Sequence, residues 1–137
     1  MPRGPLPPEL ERFLAAPRPA VVSTLTADGS PVTTPTWYEW TGAHLVLVMD
    51  RNGRRVGNLR RDPRVGLTVL DDDWYRHLSL LGRTIEIRDD PDLADVDRLA
   101  ERYWGHAYEP RDWKSVTVTV EVERWHTYGS PGESAPP

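Results

Sequence analysis

The stretch Ala20-Val21-Val22-Ser23-Thr24-Leu25-Thr26-Ala27-Asp28-Gly29-Ser30-Pro31-Val32-Thr33-Thr34-Pro35-Thr36-Trp37-Tyr38-Glu39-Trp40 decides the fold class. A β-branched run from Ala20 to Thr26 meets the turn signal Ala27-Asp28-Gly29-Ser30. From Pro31 to Trp40, Val32, Thr34, Thr36 and Tyr38 then alternate with Thr33, Pro35, Trp37 and Glu39. A repeat of two is the strand repeat, so the stretch predicts an antiparallel hairpin. Thr41-Gly42 turns the chain into a third strand, Ala43 to Met49, and Val65 to Leu70 makes a fourth. Trp74 to Arg88 is long enough for one bent strand or a broken pair, with Gly82 at the bend. Val116, Val118, Val120 and Val122 alternate with Thr117, Thr119, Glu121 and Glu123 in the last strand.

Three segments read as helices. Leu10, Phe13 and Leu14 have helical spacing in Pro8 to Leu14, and Pro17 and Pro19 stop that helix. Arg54 to Arg61 is a short helix ended by Asp62-Pro63. Asp90-Pro91 starts the third, whose apolar face is Leu93, Val96, Leu99, Ala100 and Tyr103, and Gly105 ends it. Short connections between strands and one crossover helix predict a mainly β (α+β) fold, a six- to seven-stranded antiparallel barrel with short flanking helices. The 137 residues suit one domain. Its expected bounds are 9–128, after a flexible Pro-rich start (1–8) and before a disordered Gly-Ser-Pro-rich tail (129–137).

Composition is that of an ordinary folded protein, 38% hydrophobic and 28% charged. The net charge of −4 argues against a general nucleic-acid surface, which relies on a basic face. The absence of cysteine, of an apolar leader segment and of any stretch of roughly 20 apolar residues predicts a cytoplasmic protein without a membrane partner.

Positive charge is instead local. Six arginines fall between Arg51 and Arg64, and the short helix within that run sets guanidinium groups beside free backbone N–H groups. Arginine forks match phosphate oxygens in pairs, so this is the candidate phosphate site. Signatures of phosphate loops, dinucleotide loops and hydrolase elbows are absent. His44, His77, His106 and His126 show no metal-ligand spacing, and Asp71-Asp72-Asp73 reads as a solvated turn, so no metal is expected. Trp37, Trp40, Trp104, Trp113 and Trp125 read as core or rim packing. Trp74, beside three aspartates, reads as a contact for a ligand or a partner chain.

Three strings carry a resemblance: Thr24 to Tyr38, Arg54-Arg55-Val-Gly-Asn58-Leu59-Arg60-Arg61-Asp62-Pro63-Arg64-Val65, and Trp74-Tyr75-Arg76 with Leu81-Gly82-Arg83. Together, from about Leu10 to Tyr128, they resemble the pyridoxamine-phosphate-oxidase-like split β-barrels of FMN-binding type. Within these the chain is most similar to the deazaflavin-dependent oxidoreductases, which use coenzyme F420. The resemblance implies a homodimer with cofactor sites between the subunits. It implies that Arg54, Arg55, Asn58 and Arg60 hold the cofactor phosphate and acidic tail. Thr34, Thr36 and Trp37 would lie beside the ring system with Val48, Met49 and Asp50 on the neighbouring strand, and Trp74, Tyr75 and Arg76 would approach from the partner. The chain departs from the pattern at Arg55, where many relatives carry lysine, and at Gly57. The implied activity is hydride transfer between the deazaflavin and an activated double bond of a small substrate. FMN chemistry, or flavin, haem or deazaflavin binding without turnover, are the alternatives. Catalytic residues stay unassigned, with Tyr38, Tyr75, His77 or solvent as the proton donor.

Overall fold

The computed structural model describes residues 1–132. Helix α1 (Pro8–Ala15) leads into β1 (Ala20–Leu25) and β2 (Pro31–Thr36), followed by a two-residue β3 (Glu39–Trp40) and β4 (Leu45–Asp50). Helix α2 (Arg54–Arg61), β5 (Arg64–Leu70), β6 (His77–Asp89), α3 (Ala94–Trp104) and β7 (Ser115–Tyr128) complete the chain. All pairings are antiparallel, in one seven-stranded sheet of order β2-β1-β5-β6-β7-β4-β3.

This order explains the barrel. β2 lies at one edge and β3 at the other, yet only Trp37 and Tyr38 separate them in the chain. Three Cα steps span roughly 11 Å at most, so the edges must curl towards each other without pairing. The sheet is a barrel with a split. Its interior is filled by alternating residues such as Val22, Leu47, Leu67, Leu78, Leu80 and Val118, and α1 covers this core with Leu10, Phe13 and Leu14.

The hairpin expected from Ala20 to Trp40 therefore ends early. Thr36 closes its second strand, and Glu39–Trp40 crosses the split to pair with Val46 and Leu45. Tyr38 drives the break. Its side chain is fully buried and its hydroxyl donates to the Ala16 carbonyl at 2.8 Å. Pro31 and Pro35 are tolerated because β2 is an edge strand.

Residues 77–89 form one bent strand, with register shifts at Leu81/Gly82 and Thr84/Glu86. At Gly82 a Cβ would run into the Glu121 carbonyl, so the sheet can close there only around glycine. β7 runs further than Val116–Glu123 because β6 pairs with it as far as Tyr128. α3 begins at Ala94, and the Asp-Pro signal acts through a side chain. The Asp90 carboxylate accepts from the N–H groups of Asp95 (3.1 Å) and Val96 (3.2 Å), satisfying first-turn donors. Leu93 bridges the two in the left-handed region, φ 59°.

Both chain ends, expected to be flexible, make contacts with the rest of the fold. Leu6 is buried, and the Trp125 N–H donates to the Pro2 carbonyl at 3.1 Å. Pro131 is buried and the Gly132 N–H donates to Asp71 at 2.8 Å, while the rest of the tail expected to be disordered, 133–137, lies outside the described residues. Asp71 also corrects the reading of the three aspartates as a solvated turn. It is buried between Arg18 (3.3 Å) and Arg76 (3.5 Å). Burial works to raise its pKa, but the Gly132 and Asp72 N–H groups and the two guanidinium charges outweigh it and hold the carboxyl below its ordinary value.

Candidate functional site

A cleft of about 580 Å³ opens at the split. One side is the ends of the two strands that fail to pair: Thr36 and Trp37 leaving β2, and Val48, Met49 and Asp50 ending β4. Arg55, from the first turn of α2, lines it as well. The remaining walls are the proline-rich link between α1 and β1, and the aromatic stretch from Tyr103 to Trp113.

The sequence of α2 explains why Arg55 faces the cleft. Val56, Asn58 and Leu59 are buried, which seats one helix face on the barrel. Asn58 donates to the Thr24 hydroxyl at 3.1 Å and accepts from Arg61 at 2.8 Å, locking that face in place. The first turn carries no acidic residue and no side-chain cap, so its N–H groups and Arg54 and Arg55 make this end of the helix positive. Arg55 is half-buried and, among the described residues, has no hydrogen-bond acceptor or ion-pair partner. Burial alone pushes its pKa below the ordinary guanidinium value.

Another arginine frames the site. Arg102 of α3 donates to the carbonyls of Leu14 (3.0 Å), Ala15 (2.7 Å), Ala16 (2.8 Å) and Tyr38 (3.1 Å). It thereby satisfies the last carbonyls of α1. The segments it joins continue directly into cleft walls: Ala16 into Pro17, Tyr38 from Trp37, and Arg102 itself into Tyr103 and Trp104. The Tyr103 hydroxyl adds a bridge, donating to the Arg18 carbonyl (2.8 Å) and accepting from the Tyr38 N–H (3.3 Å).

The expected site residues divide. Thr36, Trp37, Val48, Met49, Asp50 and Arg55 converge on the cleft. Thr34 lies two residues away on β2, Arg54 and Arg60 are exposed on α2, and Asn58 is committed to Thr24 and Arg61. Trp74 is 73% exposed in the turn before β6, beside Tyr75, whose hydroxyl lies 2.9 Å from that of Tyr128. Arg76 is turned inward to Asp71. None of these three lines the cleft of its own chain. As a proton donor, Tyr38 is removed by burial, which pushes its pKa far up.

Sequence reasoning missed the aromatic wall. Trp104 and Trp113, assigned to packing, line the cleft with Tyr103, Tyr108 and the expected Trp37, whereas Trp40 and Trp125 do pack on the core. The available signal was the density of aromatics from Tyr103 to Trp113 just beyond the third apolar helix face. Among the described residues no group of three or more His, Asp or Glu side chains is gathered to hold a metal, and no helix is long and apolar enough to cross a membrane.

Comparison with known proteins adds to this geometry. Residues 6–129 match the family described as pyridoxamine 5'-phosphate oxidase. Among solved structures, an F420 reductase is 27% identical, with 92% of this chain and 98% of that chain covered and a TM-score of 0.77. A conserved hypothetical protein from Mycobacterium tuberculosis is 25% identical, covering 98% and 94%, with a TM-score of 0.72. General Stress Protein 26 from Bacillus anthracis str. Sterne shares the fold at 15% identity, covering 88% and 91%, with a TM-score of 0.66. No curated protein matches the chain.

Proposed function

The chain belongs to the pyridoxamine 5'-phosphate oxidase family, and on that premise we propose that it is a cytoplasmic oxidoreductase using coenzyme F420. It would transfer a hydride between that deazaflavin and an activated double bond of a small organic substrate. The observation that carries the reading is Arg55, a desolvated guanidinium without an acidic partner among the described residues, at the positive end of α2 and facing a cleft. Such a group is expensive to bury unless an anion completes it, and a cofactor phosphate does so with charge-assisted, paired hydrogen bonds. The similarity to an F420 reductase over nearly the whole of both chains supports the deazaflavin.

In this reading Arg55, with Arg54 and Arg60 outside the cleft, anchors the phosphate and acidic tail. Thr36 and Trp37 on one strand end, and Val48, Met49 and Asp50 on the other, hold the ring system in the split. A reduced deazaflavin supplies the hydride, and the chain contributes orientation and exclusion of water. Tyr103 cannot supply a proton readily: burial raises its pKa and its hydroxyl is committed to the Arg18 carbonyl. Solvent, Tyr108 at the cleft wall, or Tyr75 of a second copy is left as the donor. A homodimer belongs to the same proposal, with exposed Trp74 and Tyr75 closing the cleft of a second copy. FMN is the second reading, because Arg55 recognises a phosphate and FMN also ends in one.

The test is a titration of wild-type protein and Arg55→Ala with oxidised F420 and, in parallel, with FMN, followed by the fluorescence of the cleft tryptophans. The expected outcome is tight F420 binding that weakens about 10- to 100-fold in the variant. Preference for FMN moves the function to flavoprotein chemistry, and binding of neither overturns the cofactor reading.

A further inference from the structure

The turn between β5 and β6 carries Trp74, the most exposed tryptophan of the chain, next to the exposed Tyr75. A loose turn would let such rings fold back onto the surface, and this turn is stiff. The Asp71 N–H closes its base on the Arg76 carbonyl at 3.1 Å. Within it, the Arg76 N–H donates to the Asp73 carbonyl at 2.9 Å and the Tyr75 N–H to the Asp73 carboxylate at 3.1 Å. Tyr75 is also fixed from the side. Its ring meets Tyr128 edge-on at 4.9 Å, the two hydroxyls lie 2.9 Å apart, and His77 stacks on Tyr128 with 9° between the planes.

The base of this arm is clamped by the residues that follow β7. At Gly129 the backbone enters the left-handed region, φ 65°, and runs across the arm's last residue. A Cβ at 129 would lie 2.6 Å from the Arg76 Cγ and 3.4 Å from its Cα, so only glycine lets the two segments come this close. Three residues on, the Gly132 N–H donates to Asp71, the residue that opens the turn, at 2.8 Å. Arg76 faces the same carboxylate at 3.5 Å, an ion pair without a hydrogen bond, so its place depends on Gly129 packing over its stem. Gly129 to Gly132 therefore hold both ends of the turn at once.

Aromatic rings fixed in one conformation lose little freedom on association, and such rings carry much of the binding at interfaces. Charge points to the surface they meet. Asp72 and Asp73 are exposed beside Trp74, while the exposed Arg54 and Arg60 flank Arg55 at the cleft. We infer that Gly129–Gly132 is a strap that positions Trp74 and Tyr75 to complete the cleft of a second copy of this chain, acting through Arg76 and Asp71. The inference rests on the dimer of the proposal above and assigns what makes its arm rigid. Gly129 is a positioning residue.

Sedimentation velocity and a titration with F420, with FMN in parallel, test it on the full chain as wild type, Trp74→Ala and Gly129→Ala. The wild type is expected to be a dimer whose cofactor affinity falls on dilution. Trp74→Ala, at an exposed site away from the core, should weaken dimerisation about tenfold. Gly129→Ala should weaken it about three- to tenfold, because the new methyl group displaces Arg76 and the left-handed backbone is strained. Both should lose cofactor affinity in parallel.

Mixing then separates positioning from support of the fold. Arg55→Ala keeps a sound arm and Gly129→Ala a sound cleft, so an equimolar mixture should recover tight binding in about one site in four, where the sound arm reaches the sound cleft. A chain weakened by damage to its own fold gains nothing from mixing. A wild type that stays monomeric overturns the inference together with the dimer. Dimerisation unchanged in Gly129→Ala, or a loss that mixing does not restore, overturns the strap alone. Failure of both F420 and FMN to bind strikes the cofactor reading, and the sedimentation comparison still decides the strap.

Discussion

Helices α2 and α3 both carry arginines, and use them in opposite ways. On α3, Arg98 reaches Glu39 at 2.9 Å and Asp95 at 2.7 Å, and Arg102 donates to four carbonyls. On α2, Arg61 meets Asn58, while Arg54, Arg55 and Arg60 have no acceptor among the described residues. Of those three only Arg55 combines that state with burial in a cleft. The difference separates scaffold from proposed site. A guanidinium whose donors are filled by its own chain holds structure, and one that is desolvated and unfilled is poised for an anion from outside.

The sharpest way to break this contrast is to truncate a filled arginine. Arg102→Ala is expected to destabilise the fold by about 3 kcal/mol in urea unfolding, because it strips donors from part-buried carbonyls at the end of α1 and at Tyr38. A change below about 1 kcal/mol would show that water replaces Arg102 freely.

Next comes the carboxylate at the centre of the α3 network. Asp95 is 7% exposed, accepts from the Thr117 hydroxyl at 2.5 Å, and is paired with Arg98 and with Arg88 at 2.8 Å. Burial acts to raise its pKa, but the hydroxyl and the two cations win, and the carboxyl lies below its ordinary value. The unfolded chain thus takes up this proton at a higher pH than the folded one. The stability attached to the carboxylate is complete above about pH 4 and is lost as the pH falls through the lower folded value. Asp95→Asn should lower stability by about 2 kcal/mol at pH 7 and leave a shallower acid limb than wild type. Parallel acid limbs in urea unfolding at pH 7 and pH 3 would remove Asp95 from the account.

The smallest expected change is the most telling for α2. Arg55→Leu removes a desolvated cation that no described residue pairs, so stability should hold or rise by less than about 1 kcal/mol. A loss comparable to that of Arg102→Ala would make Arg55 part of the scaffold and erase the contrast.

Much of the fold was legible because its signals are local. Alternation named the strands, Asp28-Gly29 placed the first hairpin, and the spacing of Leu10, Phe13 and Leu14 gave α1. Expectation and structure part where distant residues decide. Strand periodicity continues through Tyr38, but a buried hydroxyl bond to Ala16 turns the chain across the split. Asp71 looked solvated beside Asp72 and Asp73, and is instead buried by Arg18, Arg76 and Gly132. The arginine run drew attention to α2, one end of which lines the cleft, yet composition could not tell Arg55 from its neighbours, since burial depends on which face of α2 meets the barrel.

By itself, the sequence determined the mainly β class, the three helices, and a basic segment on the second of them, because periodicity, turn chemistry and charge are properties of neighbouring residues. Tertiary structure alone decided where the barrel stays split and which arginine is left unfilled. It also brought the rings from Tyr103 to Trp113 onto a cleft with Trp37. The acceptors that occupy Arg102 lie 64 to 88 residues from it along the chain. Pairing over such separations is set by how the sheet curls, which no local pattern records.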